Sequence, residues 1–121
     1  MTKPYSIERD NGIAIMRLHT TVDLADMLRM YREIVDEVSE NRRLWISSNH
    51  FVFTAREIDR MAELGRSLWP NENTRVAYLA EDALSFNLLK VLEVQRRDVN
   101  YEIKVFRDFD KAKEWLRDWE G

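Results

Sequence analysis

Between Ile13 and Trp119 short β-branched or aromatic runs alternate four times with amphipathic helical patterns, and this rhythm constrains the fold more than any single motif. Each interval holds one helix of crossover length, so successive strands can lie parallel in one sheet. The best-punctuated unit is Leu44-Trp45-Ile46-Ser47-Ser48 leading into Thr54-Ala55-Arg56-Glu57. In sheets built this way, ligand and partner sites gather where strands end and helices begin. The expected fold class is α/β: a mixed five-stranded sheet in which an N-terminal antiparallel hairpin is followed by parallel βα units. No motif specifies a reaction.

At 121 residues the chain has material for one core, so residues 1–121 are expected to form one domain. Apolar residues at 45% and charged residues at 34% are globular proportions. The net charge of −3 comes from 19 basic and 22 acidic residues mixed along the chain, with no basic stripe for nucleic acid. Cysteine is absent, which excludes disulfides, thiolate metal sites, Fe–S clusters and a cysteine nucleophile. Met1-Thr2-Lys3-Pro4 precedes a strand pattern without an apolar leader, and apolar runs fall far short of the ~20 residues that span a bilayer. A cytoplasmic protein that is not transmembrane is expected.

Tyr5 to Arg9 alternates apolar and polar residues, Asp10-Asn11-Gly12 tolerates positive φ, and Ile13 to Leu18 resumes extended character. This is a hairpin, with a bulge expected at the glycine. The second strand is apolar almost throughout and should lie inside the sheet. A first helix is expected over Val22–Ser39, capped by Thr20 or Thr21, with Arg42 and Arg43 placed to suit its C-terminal dipole. The third strand is expected at Leu44–Ser48. The second helix starts at a Thr54/Glu57 capping box and stops at Trp69-Pro70. A fourth strand over Arg75–Ala80, a third helix over Asp82–Arg97, a fifth strand over Tyr101–Arg107 and a last helix capped by Asp108 complete the pattern.

His19 and His50 follow the second and third strands, on the edge expected to carry Glu81, Asp82 and Asp108. Their spacing matches no short metal motif, so neither a metal nor any other cofactor is expected. With only three glycines, Gly12, Gly65 and Gly121, the chain has no nucleophile elbow, P-loop or dinucleotide turn. Phe51-Val52-Phe53 places three apolar residues in a strand-to-helix connection, where a hydrophobic staple accounts for one or two. An apolar residue left exposed there would mark a partner or lipid contact. Trp45 is expected in the core, whereas Phe51, Phe53, Trp69, Trp115 and Trp119, near element ends, are candidates for a homodimer contact.

The order of elements, with Arg75-Val76-Ala77-Tyr78-Leu79-Ala80-Glu81-Asp82 and the ending from Tyr101 to Leu116, resembles the SpoIIAA-like (STAS/Sec14-type) bacterial domains. The resemblance covers nearly the whole chain. It implies a right-handed βα superhelix and a non-catalytic regulatory or protein-interaction module. The alternative it carries is a Sec14-like carrier of a small apolar or lipid-like ligand, with a pocket under the second or third helix. Family members that antagonise anti-sigma factors bear a phosphorylatable serine in a D-S-S-G-like turn. The matching stretch here is Phe53-Thr54-Ala55-Arg56-Glu57, so Thr54 is the one nearby hydroxyl. The expected partner- or ligand-binding rim comprises Ser48, His50, Phe51, Phe53, Thr54 and Arg56, with no catalytic residue.

Overall fold

The computed structural model describes residues 3–68, 73–96 and 101–120. The elements run β1 (Tyr5–Asp10), β2 (Ile13–Leu18), α1 (Leu24–Glu37), β3 (Arg42–Ile46), α2 (Ala55–Leu68), β4 (Thr74–Leu79), α3 (Ala83–Gln95), β5 (Tyr101–Phe106) and α4 (Phe109–Arg117). The strands lie side by side in chain order, β1 antiparallel to β2 and all later neighbours parallel. This is the mixed α/β sheet expected from the alternation.

The hairpin closes without the expected bulge. Asp10 pairs directly with Ile13, and Asn11 and Gly12 form a two-residue loop with φ of +51° and +81°. Both central residues in the left-handed region match the right-handed twist of the flanking strands, so no extra residue is required. β2 is interior as expected: Ile13, Ala14, Ile15, Met16 and Leu18 are all buried.

Strands laid down in order place their crossover helices on one face, and α1, α2 and α3 share a core there. Met27, Met30 and Ile34 of α1, Ile58 and Met61 of α2, and Leu89 and Leu92 of α3 pack with Met16, Trp45, Val76 and Tyr78. The opposite face is covered by α4, whose Ala112 and Leu116 close over Ile13, Ile15, Leu44, Ile46, Ala77 and Leu79. The alternate residues of β2, β3 and β4 thus feed two separate cores, which explains why these strands are apolar throughout.

Several boundaries differ from the sequence pattern. β3 starts and ends two residues earlier than Leu44–Ser48, because Arg42 and Arg43 join the ladder opposite Arg75 and Val76. α1 begins at Leu24 with Asp23 as its cap, the carboxylate accepting from the Asp26 amide at 2.8 Å. Neither Thr20 nor Thr21 takes that role. The two arginines do not jointly serve α1 either. Arg43 Nε donates to the Glu40 carbonyl at 2.8 Å, whereas Arg42 Nε crosses to the Leu116 carbonyl of α4 at 3.0 Å. The end of α1 is met by Arg9, whose Nη2 donates to the Glu37 carbonyl at 2.7 Å. The expected helix stop at Trp69-Pro70 and the last residue of the expected third helix, Arg97, lie outside the described residues.

Candidate functional site

The rim at the C-terminal ends of the parallel strands is built by the β3–α2 and β4–α3 connections. Ser47 extends the ladder through its amide to the Leu79 carbonyl, and the His50 amide turns back to the Ser47 carbonyl. Asn49, at φ +67°, makes the turn, a conformation asparagine tolerates better than most side chains. Ser48 Oγ accepts the Glu81 amide at 3.0 Å. One Asp82 oxygen accepts the Asn49 amide at 2.5 Å, and the other caps α3 by accepting the Ser85 amide at 2.9 Å. The Phe51 amide donates to Ser85 Oγ at 3.3 Å. Partial burial pushes the Asp82 carboxyl up, but the amides of Asn49 and Ser85 outweigh it and hold it below the usual aspartate range. The two connections are therefore laced into one unit.

The six rim residues expected from sequence divide by exposure. Phe51 and Phe53 turn inward, 2% and 6% exposed, with rings edge-to-face at 5.0 Å. Phe53 precedes the cap and Ile58 is the fourth helical residue; both lie in the same core cluster, as a staple requires. These two phenylalanines cannot present themselves to a partner or to a second copy. Val52 between them is 47% exposed. Thr54 and Arg56 face outward, while Ser48 and His50 are half-buried. Thr54 forms the full capping box: its amide donates to Glu57 Oε1 at 2.8 Å and its Oγ1 accepts the Glu57 amide at 3.2 Å.

The histidines bond to hydroxyls, His50 Nδ1 to Thr21 Oγ1 at 3.3 Å and His19 Nε2 to Ser6 Oγ at 2.8 Å. No carboxylate orients either ring among the described residues, so neither pair has the third group of a nucleophilic triad. Nor does any cluster of three His, Asp or Glu side chains converge there as a metal site would require.

A second candidate lies beneath α2 and α3, where the carrier alternative expects a pocket, though sequence reading named none of its lining as a site. Tyr31, Trp45, Met61, Gly65, Tyr78, Leu92, Arg96 and Tyr101 enclose a cavity of about 10 Å³, the threshold for one water. Trp45 meets Tyr31 edge-on at 5.6 Å and Tyr78 in a stack at 6.2 Å. The Arg96 guanidinium, buried at 2% exposure, lies 3.7 Å from the centroid of the Tyr101 ring. Gly65 makes room for it, since a Cβ there would come within 2.9 Å of Arg96 Nε. Burial pushes the Tyr31 and Tyr78 phenols well above their usual range, against a smaller opposing pull from Arg96. The signal for this cluster was a glycine inside a helix, which marks a close approach as readily as a weak helix.

Of the remaining outward apolar residues, Phe109 on α4 is 36% exposed with the Lys113 ammonium over its ring, and the other three are on α3. Leu84 is 56%, Val91 36% and Val94 64% exposed, on a helix that also buries Leu89 and Leu92 inward. The other homodimer candidates are otherwise engaged. Trp115 packs on Phe106 at 5.5 Å beneath the Arg75 guanidinium, and Trp119 lies beside Arg42; Trp69 is outside the described residues. No helix among the described residues is long and apolar enough to cross a membrane. No protein-family model matches the chain, and neither curated proteins nor solved structures yield a match.

Proposed function

We propose that the chain is a non-catalytic protein-interaction module of the SpoIIAA-like kind, and that it self-associates through the outward face of α3. The observation that carries this reading is the uncovered apolar line Leu84, Val91 and Val94. These three fall on the side of α3 opposite Ser85, Leu89 and Leu92, where exposed Asn87 interrupts them, so the helix carries apolar residues on both faces. A helix of that composition is covered on both sides in most folds. Among the described residues of α3, the exposed charged side chain beside the line is Lys90, whose ammonium lies 3.5 Å from Glu93. A second α3 laid across this face therefore meets no uncompensated like charge, and a twofold contact is the commonest way to cover such a patch. Val52 is also exposed, on the β3–α2 loop that the Phe51–Ser85 bond ties to the start of α3.

The carrier reading has one observation in its favour, the buried Arg96 within an aromatic enclosure. The enclosure's volume of about 10 Å³ weighs against it, since ligand pockets for small molecules run to about 300 Å³ and more. Sedimentation velocity at micromolar concentration tests the first reading. The wild-type chain is expected to run as a dimer, and Val91→Glu with Val94→Glu as a folded monomer. A wild-type monomer would overturn self-association. Native mass spectrometry showing a bound lipid-sized mass would favour the carrier.

A further inference from the structure

β5 is the last strand of the sheet, so one side of it meets no other strand among the described residues. The Phe106 carbonyl accepts the Ala80 amide, and with it the backbone groups of Glu102 and Lys104 turn toward β4. Those of the alternate residues Ile103 and Val105 therefore point to the open edge, where unpaired groups are a template for another strand. Glu93 of α3 takes the Val105 amide at 3.2 Å, whereas the Ile103 amide and carbonyl have no partner among the described residues. The Ile103 side chain is half-buried against the main core. Glu102 and Lys104 flank it, exposed on the opposite face, the one where Phe106 meets α4.

We infer that β5 pairs with β5 of a second copy, antiparallel about a twofold at Ile103, so that two sheets run on as one. Charge selects both the occupant and the register. Residues that face one another across an antiparallel pair have Cβ atoms about 4.5–5.5 Å apart, close enough for opposite charges to attract and like charges to repel. With the twofold at Ile103, Glu102 of each copy faces the partner's Lys104. A twofold at Glu102 or at Lys104 would instead set that residue against itself. Arg75 holds Glu102 at 3.1 Å from the β4 side, and 56% of the Glu102 side chain stays exposed, so the partner's Lys104 completes a carboxylate between two cations. Lys104 itself forms no ion pair among the described residues; its ammonium lies 5.3 Å from the centroid of the Phe106 ring. The other edge of the sheet offers no such match. On β1 the outward groups belong to Tyr5, Ile7 and Arg9, and a twofold near the middle sets Glu8 against Pro4, Ser6 or itself.

The inference rests on the reading of the chain as self-associating and gives that contact a geometry. The Glu93 bond sets α3 beside the β5 edge, with Lys90 and Val94 next to Glu93 on the helix. A twofold that joins β5 to β5 keeps like faces of the two sheets on one side, so the two α3 helices come alongside one another. Such a contact closes on itself as a dimer.

Sedimentation velocity of the full chain tests the pairing through its charges. Glu102→Lys sets lysine against Lys104, and Lys104→Glu sets glutamate against Glu102; each should weaken the dimer by about tenfold or more. Mixing the two variants should restore it, because each supplies the charge that the other lacks, and this recovery rules out a folding defect. Glu8→Lys, the same charge change on β1, should leave the dimer unchanged. A dimer indifferent to both single variants would overturn the pairing and leave the α3 face standing. A mixture no stronger than its components would overturn the pairing as well. A dimer that obeys the charge pattern yet survives Val91→Glu with Val94→Glu would remove the α3 face alone. A monomeric wild type would overturn both, even if the edge accepts a strand from another protein.

Discussion

Thr54 shows how much one hydroxyl decides at the start of a helix. Its Oγ1 accepts the Glu57 amide while Glu57 returns the favour to the Thr54 amide, so two donors that α2 would otherwise leave unsatisfied are paired. Replacing Thr54 by alanine should cost about 1 kcal/mol in thermal or denaturant melts, and serine or aspartate much less. Were Thr54 instead a modification site, aspartate would alter partner binding with little change in stability; melts beside a pull-down separate the outcomes. Asp82 does comparable work across elements, since its two oxygens serve an amide in the β3–α2 loop and one in its own helix.

At the scale of elements, arginines act as caps for helix ends. The carbonyl end of α4 points at the start of the sheet, where Arg42 and Arg75 stand opposite one another on β3 and β4. Arg42 donates to the Leu116 and Trp119 carbonyls and Arg75 to the Trp115 carbonyl, with Arg75 4.2 Å from the centroid of the Trp115 ring. Fixed cations suit the negative end of a helix dipole, and the planar guanidinium both stacks and donates. Arg75→Ala should therefore cost about 1–3 kcal/mol and loosen α4 selectively, read as faster amide exchange in α4 than in α2. Arg75→Lys should recover only part of the loss. These long-range caps mark the limit of what the chain discloses in one dimension. The Thr54/Glu57 capping box, the position of the hairpin turn at Asn11-Gly12 though not its lack of a bulge, and the doubly buried β2 are written in neighbouring residues and were legible. The destination of Arg42 was not, because Leu116 is 74 residues away, and neither was the make-up of the aromatic enclosure, whose eight lining residues come from six elements and the end of α3. On the rim, sequence located the apolar triplet but not which way each residue turns; alternation around the cap sends Phe51 and Phe53 in and Val52 out.

For the whole molecule, titration sets the range over which the fold holds. Tyr5 is pushed up to about 12 by burial and by its hydrogen bond to Glu33, and Tyr31 and Tyr78 are raised further by burial. A raised folded value favours the neutral phenol, so this stability is complete below about pH 10 and lost as pH rises through the folded values. Asp82 and Glu40 work in the opposite sense. Burial raises each, but amide bonds to both, and Arg9 beside Glu40, outweigh it, so their contribution is present above about pH 4 and lost as pH falls through their depressed values. Denaturant melts across pH should give a plateau between these limits, with alkaline unfolding accompanying tyrosinate absorbance. Reversible titration of all the phenols near pH 10 in a folded chain would contradict the burial of Tyr31 and Tyr78. The two-sided sheet also sets an order in time. A ribosome delivers β2, β3 and β4 together with the three helices of one face well before α4 emerges, so Ile13, Ile15, Leu44, Ile46, Ala77 and Leu79 wait uncovered while the rest of the domain is already made. The nascent chain is thus a half-clad sheet whose bare side invites chaperones or like strands until α4 arrives to cover it.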